Sequence, residues 1–282
     1  MNFFSLLCKG INLISFLMNV LSLIIYIKNK YQIEIINLLK LELIIASLFQ
    51  AIPLFTFPNQ QSVKTKIFQA FYSGSFNLTI SLISTFIAFS VCISIFYQEF
   101  FMKNSKLLTI IFSFLSWILT IFYSYYLFKI KIINCSTQNF CFYEIKKDFF
   151  PIIIHIILFI LNFTSNIITI IATYKLIKDE DLQIVYIKQL IGFILGSFVF
   201  YGPYFLGVIP LFFNVSNSKS LYDLWNNVRI FFFCMNGIFV SVLYIYSKSS
   251  YGEILELLCC KKSEYNNNSN NASFHLYKLR EE

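Results

Sequence analysis

Charge is scarce in this sequence. Only 13% of its 282 residues are Asp, Glu, Lys or Arg, while 57% are hydrophobic. A soluble domain of that length needs a charged surface to stay dispersed, and so few charges cannot make one. Histidine is scarcer still, with only His155 and His275. The sequence also has no His-Glu-x-x-His, no Gly-x-Ser-x-Gly and no phosphate-binding glycine loop, so an enzyme is not expected. None of the seven cysteines shows metal-ligand spacing with histidine, and neither metal nor cofactor is expected. The net charge of +8 comes without a basic helix interleaved with aromatics, which argues against nucleic acid. The lysines fill short gaps between apolar runs instead, where they would meet membrane lipids.

Apolar sequence is what the chain has in abundance, and it comes in long blocks. Seven runs lie near 4–27, 35–57, 67–97, 107–129, 151–177, 187–213 and 227–247. About 20 residues at ~1.5 Å rise cross the hydrocarbon core, and every backbone amide there must be satisfied internally. The expected fold is therefore all-α, an integral membrane bundle of seven transmembrane helices. The first run is read as a permanent helix rather than a signal peptide, because no small-residue cleavage site follows and Asn19 sits in its middle. After the last run, 251–258 alternates apolar and polar residues and suits a short amphipathic surface helix. Residues 1–258 are expected to form the bundle with its surface helix, and 259–282 a disordered cytoplasmic tail. Cys259 and Cys260, beside Lys261 and Lys262, are lipidation candidates.

With the N-terminus outside, ten cations face inward and eight outward, Arg229 among the outer ones. The sequons at Asn134 and Asn214 then share the outer side and become glycosylation candidates. Cys135 and Cys141 lie there too, where disulfides persist.

Polar groups inside hydrocarbon are costly, so they are the informative residues. Asn19 lies midway along the first run and Glu42 about two turns into the second. Asn77 and Ser81 mark the third, His155, Asn162 and Asn166 the fifth, and Asn236 and Ser241 the seventh. Glu42 is expected to face the interior, with Asn19 as its partner, whereas Asn77 and Asn162 read as interhelical glue. The sixth run holds Phe200-Tyr201-Gly202-Pro203-Tyr204. A proline there removes a backbone bond and supplies a pivot.

Several landmarks now fall in order. Met18-Asn19-Val20-Leu21-Ser22 is similar to the Gly-Asn-x-x-Val of rhodopsin-like receptors, and Leu38-Leu39-Lys40-Leu41-Glu42 to their Leu-x-x-x-Asp. Trp117 sits in the fourth helix, and Phe200-Tyr201-Gly202-Pro203-Tyr204 resembles Cys-Trp-x-Pro-Tyr. The stretch from Asn236 to Tyr244 looks like the Gly…Tyr pattern of secretin-like and cyclic-AMP-receptor-like receptors. Taken together, the chain resembles a divergent G-protein-coupled receptor. It departs from the family in having no Asp-Arg-Tyr after the third helix, no Asn-Pro-x-x-Tyr in the seventh, and no cysteine opening the third. Cys135 and Cys141 are then a candidate pair for each other, which geometry permits without requiring.

The resemblance implies a plasma-membrane receptor in which an extracellular ligand shifts a two-state bundle and the sixth helix moves against a heterotrimeric G protein. Tyr201, Pro203 and Tyr244 would form the switch, Asn19, Glu42, Asn236 and Ser241 the intramembrane polar core. The alternative is a small seven-helix transporter of the sugar-carrier type, although the first and last three helices share no convincing similarity. A retinal pump is disfavoured, since 227–247 contains no lysine for a Schiff base.

Overall fold

A computed structural model describes residues 3–28, 35–55, 63–130, 133–135, 141–143, 150–176, 187, 191–192, 194–202, 205 and 219–245. The helices are α1 (Phe3–Lys28), α2 (Ile35–Phe55), α3 (Val63–Phe96), α4 (Gln98–Ile130), α5 (Phe150–Leu176) and α7 (Lys219–Ile245). Between the last two, residues 194–202 are helical and are called α6. Pro203, Asn214, the surface helix expected at 251–258 and the tail with Cys259 and Cys260 lie outside the described residues.

The helices are inside out relative to a soluble protein. In α1 the buried stripe is Cys8, Asn12, Ser15, Asn19 and Ser22, while Leu6, Leu13, Leu17 and Ile24 are exposed. In α5, His155, Asn162, Asn166, Thr169 and Thr173 are buried, while Ile153, Ile157, Ile160 and Ile168 are exposed. Both stripes recur at the 3.5-residue spacing of one helix face. Water would favour the opposite arrangement, whereas hydrocarbon accepts apolar side chains and forces polar ones inward. Among the described residues, four helices are long and apolar enough to cross a membrane: Leu6–Ile27, Gly74–Phe96, Lys103–Lys129 and Phe150–Lys175. The chain is a multi-pass, predominantly helical membrane protein.

Side-chain pairs fix the helix directions. Asn12 meets Ala51 and Asn19 meets Ser47, so α1 and α2 are antiparallel. Ser75 meets Ser124, Thr79 meets Thr120 and Phe86 stacks on Phe112, which sets α3 against α4. Tyr126 packs on Phe150 and Tyr123 on His155, reversing α5 relative to α4. Phe159 touches Phe205 and Phe163 touches Phe198, reversing α6 again. A Cβ on Gly202 would meet Phe232, whereas Val199 lies beside Asn236, so α7 is antiparallel to α6. Ser15 meets Cys234 and Asn19 meets Gly237, so α7 runs parallel to α1 and closes the ring.

Two expectations need correction. The third and fourth helices were expected to be separated by a loop near 98–106, but α4 begins at Gln98 and only Tyr97 interrupts the helical assignment. No Gly or Pro breaks that stretch, and helical bonds persist, with Tyr97 N donating to Ile93 O at 2.8 Å and Phe101 N to Tyr97 O at 2.8 Å. Arg229 was counted among outer-loop cations, yet it is buried within α7, which starts eight residues before the apolar stretch read from the sequence. The all-helical architecture carries one short addition that the sequence did not announce. Strands β1 (Ile133–Cys135) and β2 (Cys141–Tyr143) form an antiparallel ribbon that packs against α3.

Candidate functional site

Where α1, α2 and α7 meet, Gly237 presents bare backbone. A Cβ there would lie 2.5 Å from Asn19 Nδ2 and 2.8 Å from Ser15 Cβ, so only glycine permits this approach. Asn19 exploits the gap. Its Nδ2 donates to the carbonyls of Ser15 (2.9 Å) and Gly237 (3.2 Å) and lies 3.1 Å from Ser47 Oγ. Its Oδ1 accepts from Ser241 Oγ at 3.2 Å. Ser15 Oγ donates to the Cys234 carbonyl at 2.6 Å. Both ends of the buried Asn19 amide are thus engaged, joining three helices.

One to two turns away, toward α3 and α6, sits a cluster of three buried amides. Gln50 Nε2 donates to Asn77 Oδ1 at 3.1 Å, and Asn77 Nδ2 donates to the Phe200 carbonyl on α6 at 3.3 Å. Asn236 completes the cluster from α7 and has partners in either amide orientation. In one, its Nδ2 donates to Asn77 Oδ1 at 2.7 Å. Turned over, it donates to the carbonyls of Val199 and Phe232 at 3.2 Å each, and its Oδ1 accepts from Gln50 Nε2 at 3.2 Å. The second orientation brings Asn236 Oδ1 within 2.7 Å of Asn77 Oδ1, which is tolerable only if the Asn77 amide turns as well.

The Val199 carbonyl has a special status. In an unbroken helix it would accept from the amide four residues on, but that residue is Pro203, which has no N–H. A carbonyl left without its donor in hydrocarbon costs several kcal/mol in principle, on the order of a lost hydrogen bond or more. Asn236 is placed to supply the missing donor, and Asn77 caps the neighbouring carbonyl of Phe200. The two bonds are alternatives: Asn236 can reach Val199 only when the Asn77 amide has turned away from Phe200, so each arrangement holds one of the two α6 carbonyls ahead of the proline.

Tyr201 anchors the next position. Its fully buried hydroxyl donates to the Ser81 carbonyl at 2.9 Å and lies 2.8 Å from Thr85 Oγ1. Its ring packs edge-on against Phe159 (5.6 Å between centroids) and His155 (6.4 Å). His155 Nδ1 donates to the Pro151 carbonyl at 2.7 Å, a bond within α5. Asn162 Nδ2 donates to Ser84 Oγ at 3.0 Å, tying α5 to α3. Ser81 Oγ and Asn166 Oδ1 are buried without a hydrogen-bond partner among the described residues.

The structure therefore brings together most of the polar core read from the sequence, but not as one unit. Asn19 and Ser241 share one cluster, Asn236 belongs to the next, and Glu42 stands apart from both. Glu42 does not pair with Asn19. Its Oε1 accepts from Ser113 on α4, the Trp117 side chain lies beside it, and Oε2 has no partner among the described residues. The physical reason is helix phase: Ser47, five residues on, points at α1, which turns Glu42 to the α4 side. Asn77, read as interhelical glue, does join helices, bonding Gln50 on α2 and the Phe200 carbonyl of α6. Gln50 was missed, although a buried amide inside an apolar run was the signal that would have found it. Tyr174 is exposed on the outer face of α5. Phe71, Tyr72 and Phe76 make ring contacts within the protein; Phe76 stacks on Phe49 and meets Tyr72 and Trp117. Tyr244 falls in the last turn of α7, and its side chain lies outside the described residues. Among the described residues, no three His, Cys, Asp or Glu side chains come together as metal ligands. No model of a known protein family matches this chain, and no curated protein matches it.

Proposed function

We propose that the protein is a plasma-membrane receptor of seven transmembrane helices, with its N-terminus outside, that activates a heterotrimeric G protein when α6 moves. The observation that carries this reading is the pair of carbonyls at Val199 and Phe200. They lie next to the α6 proline, and side-chain amides meet them one at a time: Phe200 by Asn77 of α3 in one amide arrangement, Val199 by Asn236 of α7 in the other. Side-chain amides exchange partners with a rotation about one bond, whereas a helical ladder must unwind to do so. A helix held at its weak point by exchangeable donors has two closely matched arrangements, and a ligand that prefers one of them shifts the population.

The alternating helix directions support the seven-crossing count. Because α7 runs parallel to α1 and antiparallel to α6, the chain between α5 and α7 has to return across the layer, and α6 lies on that return path. An odd number of crossings puts the N-terminus and the segment after α7 on opposite faces, as a receptor with an outer ligand and an inner partner requires. The amide cluster would be the core of the switch, with Tyr201 as the side chain that reports α6 position to α3 and α5. Tyr244, Pro203, the surface helix and the lipidated Cys259 and Cys260 enter this reading from the sequence alone.

Guanine-nucleotide exchange on co-expressed G proteins, measured in membranes with and without the full chain, tests the reading. Acceleration that depends on the chain supports a receptor. Chain-dependent uptake of a labelled sugar without any exchange would replace this reading by the carrier.

A further inference from the structure

We infer that Cys135 and Cys141 are joined by a disulfide that ties the ribbon lying on α3. The argument rests on backbone register. In the antiparallel ribbon Ile133 is the Cα partner of Tyr143, Asn134 of Phe142 and Cys135 of Cys141. Directly opposed residues of antiparallel strands have Cα atoms roughly 4.5–5.5 Å apart, inside the ~4.4–6.8 Å window that a disulfide spans. The two cysteines close the ribbon at its turn end, with residues 136–140 between them.

A second observation asks for such a tie. Strands of three residues form a ribbon that is marginal on its own in water. This one sits at the junction between α4 and α5, where it packs against α3. A covalent link between Cys135 and Cys141 keeps the strands in register without requiring a larger sheet. The remaining described cysteines are placed differently. Cys8, Cys92 and Cys234 are free thiols within α1, α3 and α7.

Bond formation is a two-electron oxidation. The Cys135 and Cys141 thiols lose two protons and two electrons to a disulfide-bearing oxidant, which leaves as two thiols. Such oxidants act on the lumenal and extracellular side, so the bond rests on the proposed orientation with residues 131–149 outside.

The test is peptide mapping of the full chain purified without reductant, with free thiols alkylated first. The expected result is a 135–141 link, seen as alkylation of both residues only after reduction, with Cys92 alkylated from the start. Cys135→Ser should leave Cys141 alkylatable without reduction. Free thiols that react with a membrane-impermeant maleimide on intact cells would overturn the bond while leaving the orientation standing. Free thiols that react only after permeabilisation would overturn both. A link from either residue to any other cysteine would also overturn the proposal.

Discussion

The two sides of the bundle are held by different chemistry. On the α1–α2–α7 side, contact is backbone-close: Gly237 admits Asn19 and Ser15, and both ends of the Asn19 amide are bonded. On the α3–α5–α6 side, the contacts are large aromatic rings meeting edge to face, such as Phe159 with Phe198, Tyr201 and Phe205, and hydrogen bonds reach α6 at the Phe200 carbonyl and the Tyr201 hydroxyl. Close packing of small residues tolerates no displacement, because the lost dispersion and the clash both grow within fractions of an ångström. Edge-to-face rings tolerate sliding, and amides can re-pair. The first side is built as a frame and the second as a movable part.

Substitutions can break that contrast, and the largest effect is expected where the frame is tightest. Gly237→Val should force α1 and α7 apart and cost about 3 kcal/mol, since overpacking penalties run ~1–3 kcal/mol with flexible neighbours and these neighbours are backbone-close. Gly202→Ala should cost less than about 1 kcal/mol, because its Cβ would meet only the Phe232 ring, at 3.2 Å. Thermal denaturation of the two purified variants measures the difference, and similar losses would erase the distinction between the sides. Asn19→Leu comes next. It leaves Ser47 and Ser241 without their shared partner and should lower stability by about 2 kcal/mol, with basal nucleotide exchange unchanged.

Asn236→Leu should do the reverse. It removes the donor to the Val199 carbonyl of α6, so a stability loss of about 1 kcal/mol should accompany a basal exchange rate raised about fivefold, the population shift that such an energy produces. A loss of stability with unchanged exchange would place Asn236 in the frame. Glu42→Gln is the smallest. The amide can still accept from Ser113, and the half-buried site lies away from both clusters, so stability should change by no more than about 0.5 kcal/mol. A larger loss in the same denaturation assay would show that the charge itself is needed there.

How much of this was legible in the sequence depends on the length scale of the signal. Helical runs are read from hydrophobic length, and α1, α2, α3 and α5 fall close to their expected bounds. Helix ends are not read that way, because the bilayer sets the apolar length while the helix continues into polar residues; α4 starts early at Gln98 and α7 at Lys219 for this reason. Asn19, Asn236 and Ser241 stood out because a polar atom in hydrocarbon demands a partner. Which partner it finds is a matter of helix phase and neighbour order, and a single chain of letters does not carry that. Hence Glu42 was assigned to Asn19 when Ser113 meets it, and Gln50, close to Pro53 and the end of its run, was passed over. The ribbon was missed because strands of three residues carry almost no periodic signal.

Amide hydrogen exchange along the full chain in lipid nanodiscs tests the division into frame and moving part most directly. The account expects residues 194–202 of α6 to exchange faster than residues 232–241 of α7, by about tenfold or more, since re-pairing of the carbonyl donors opens α6 locally. Asn236→Leu should widen the gap. Equal protection of the two segments, or slower exchange in α6, would contradict it.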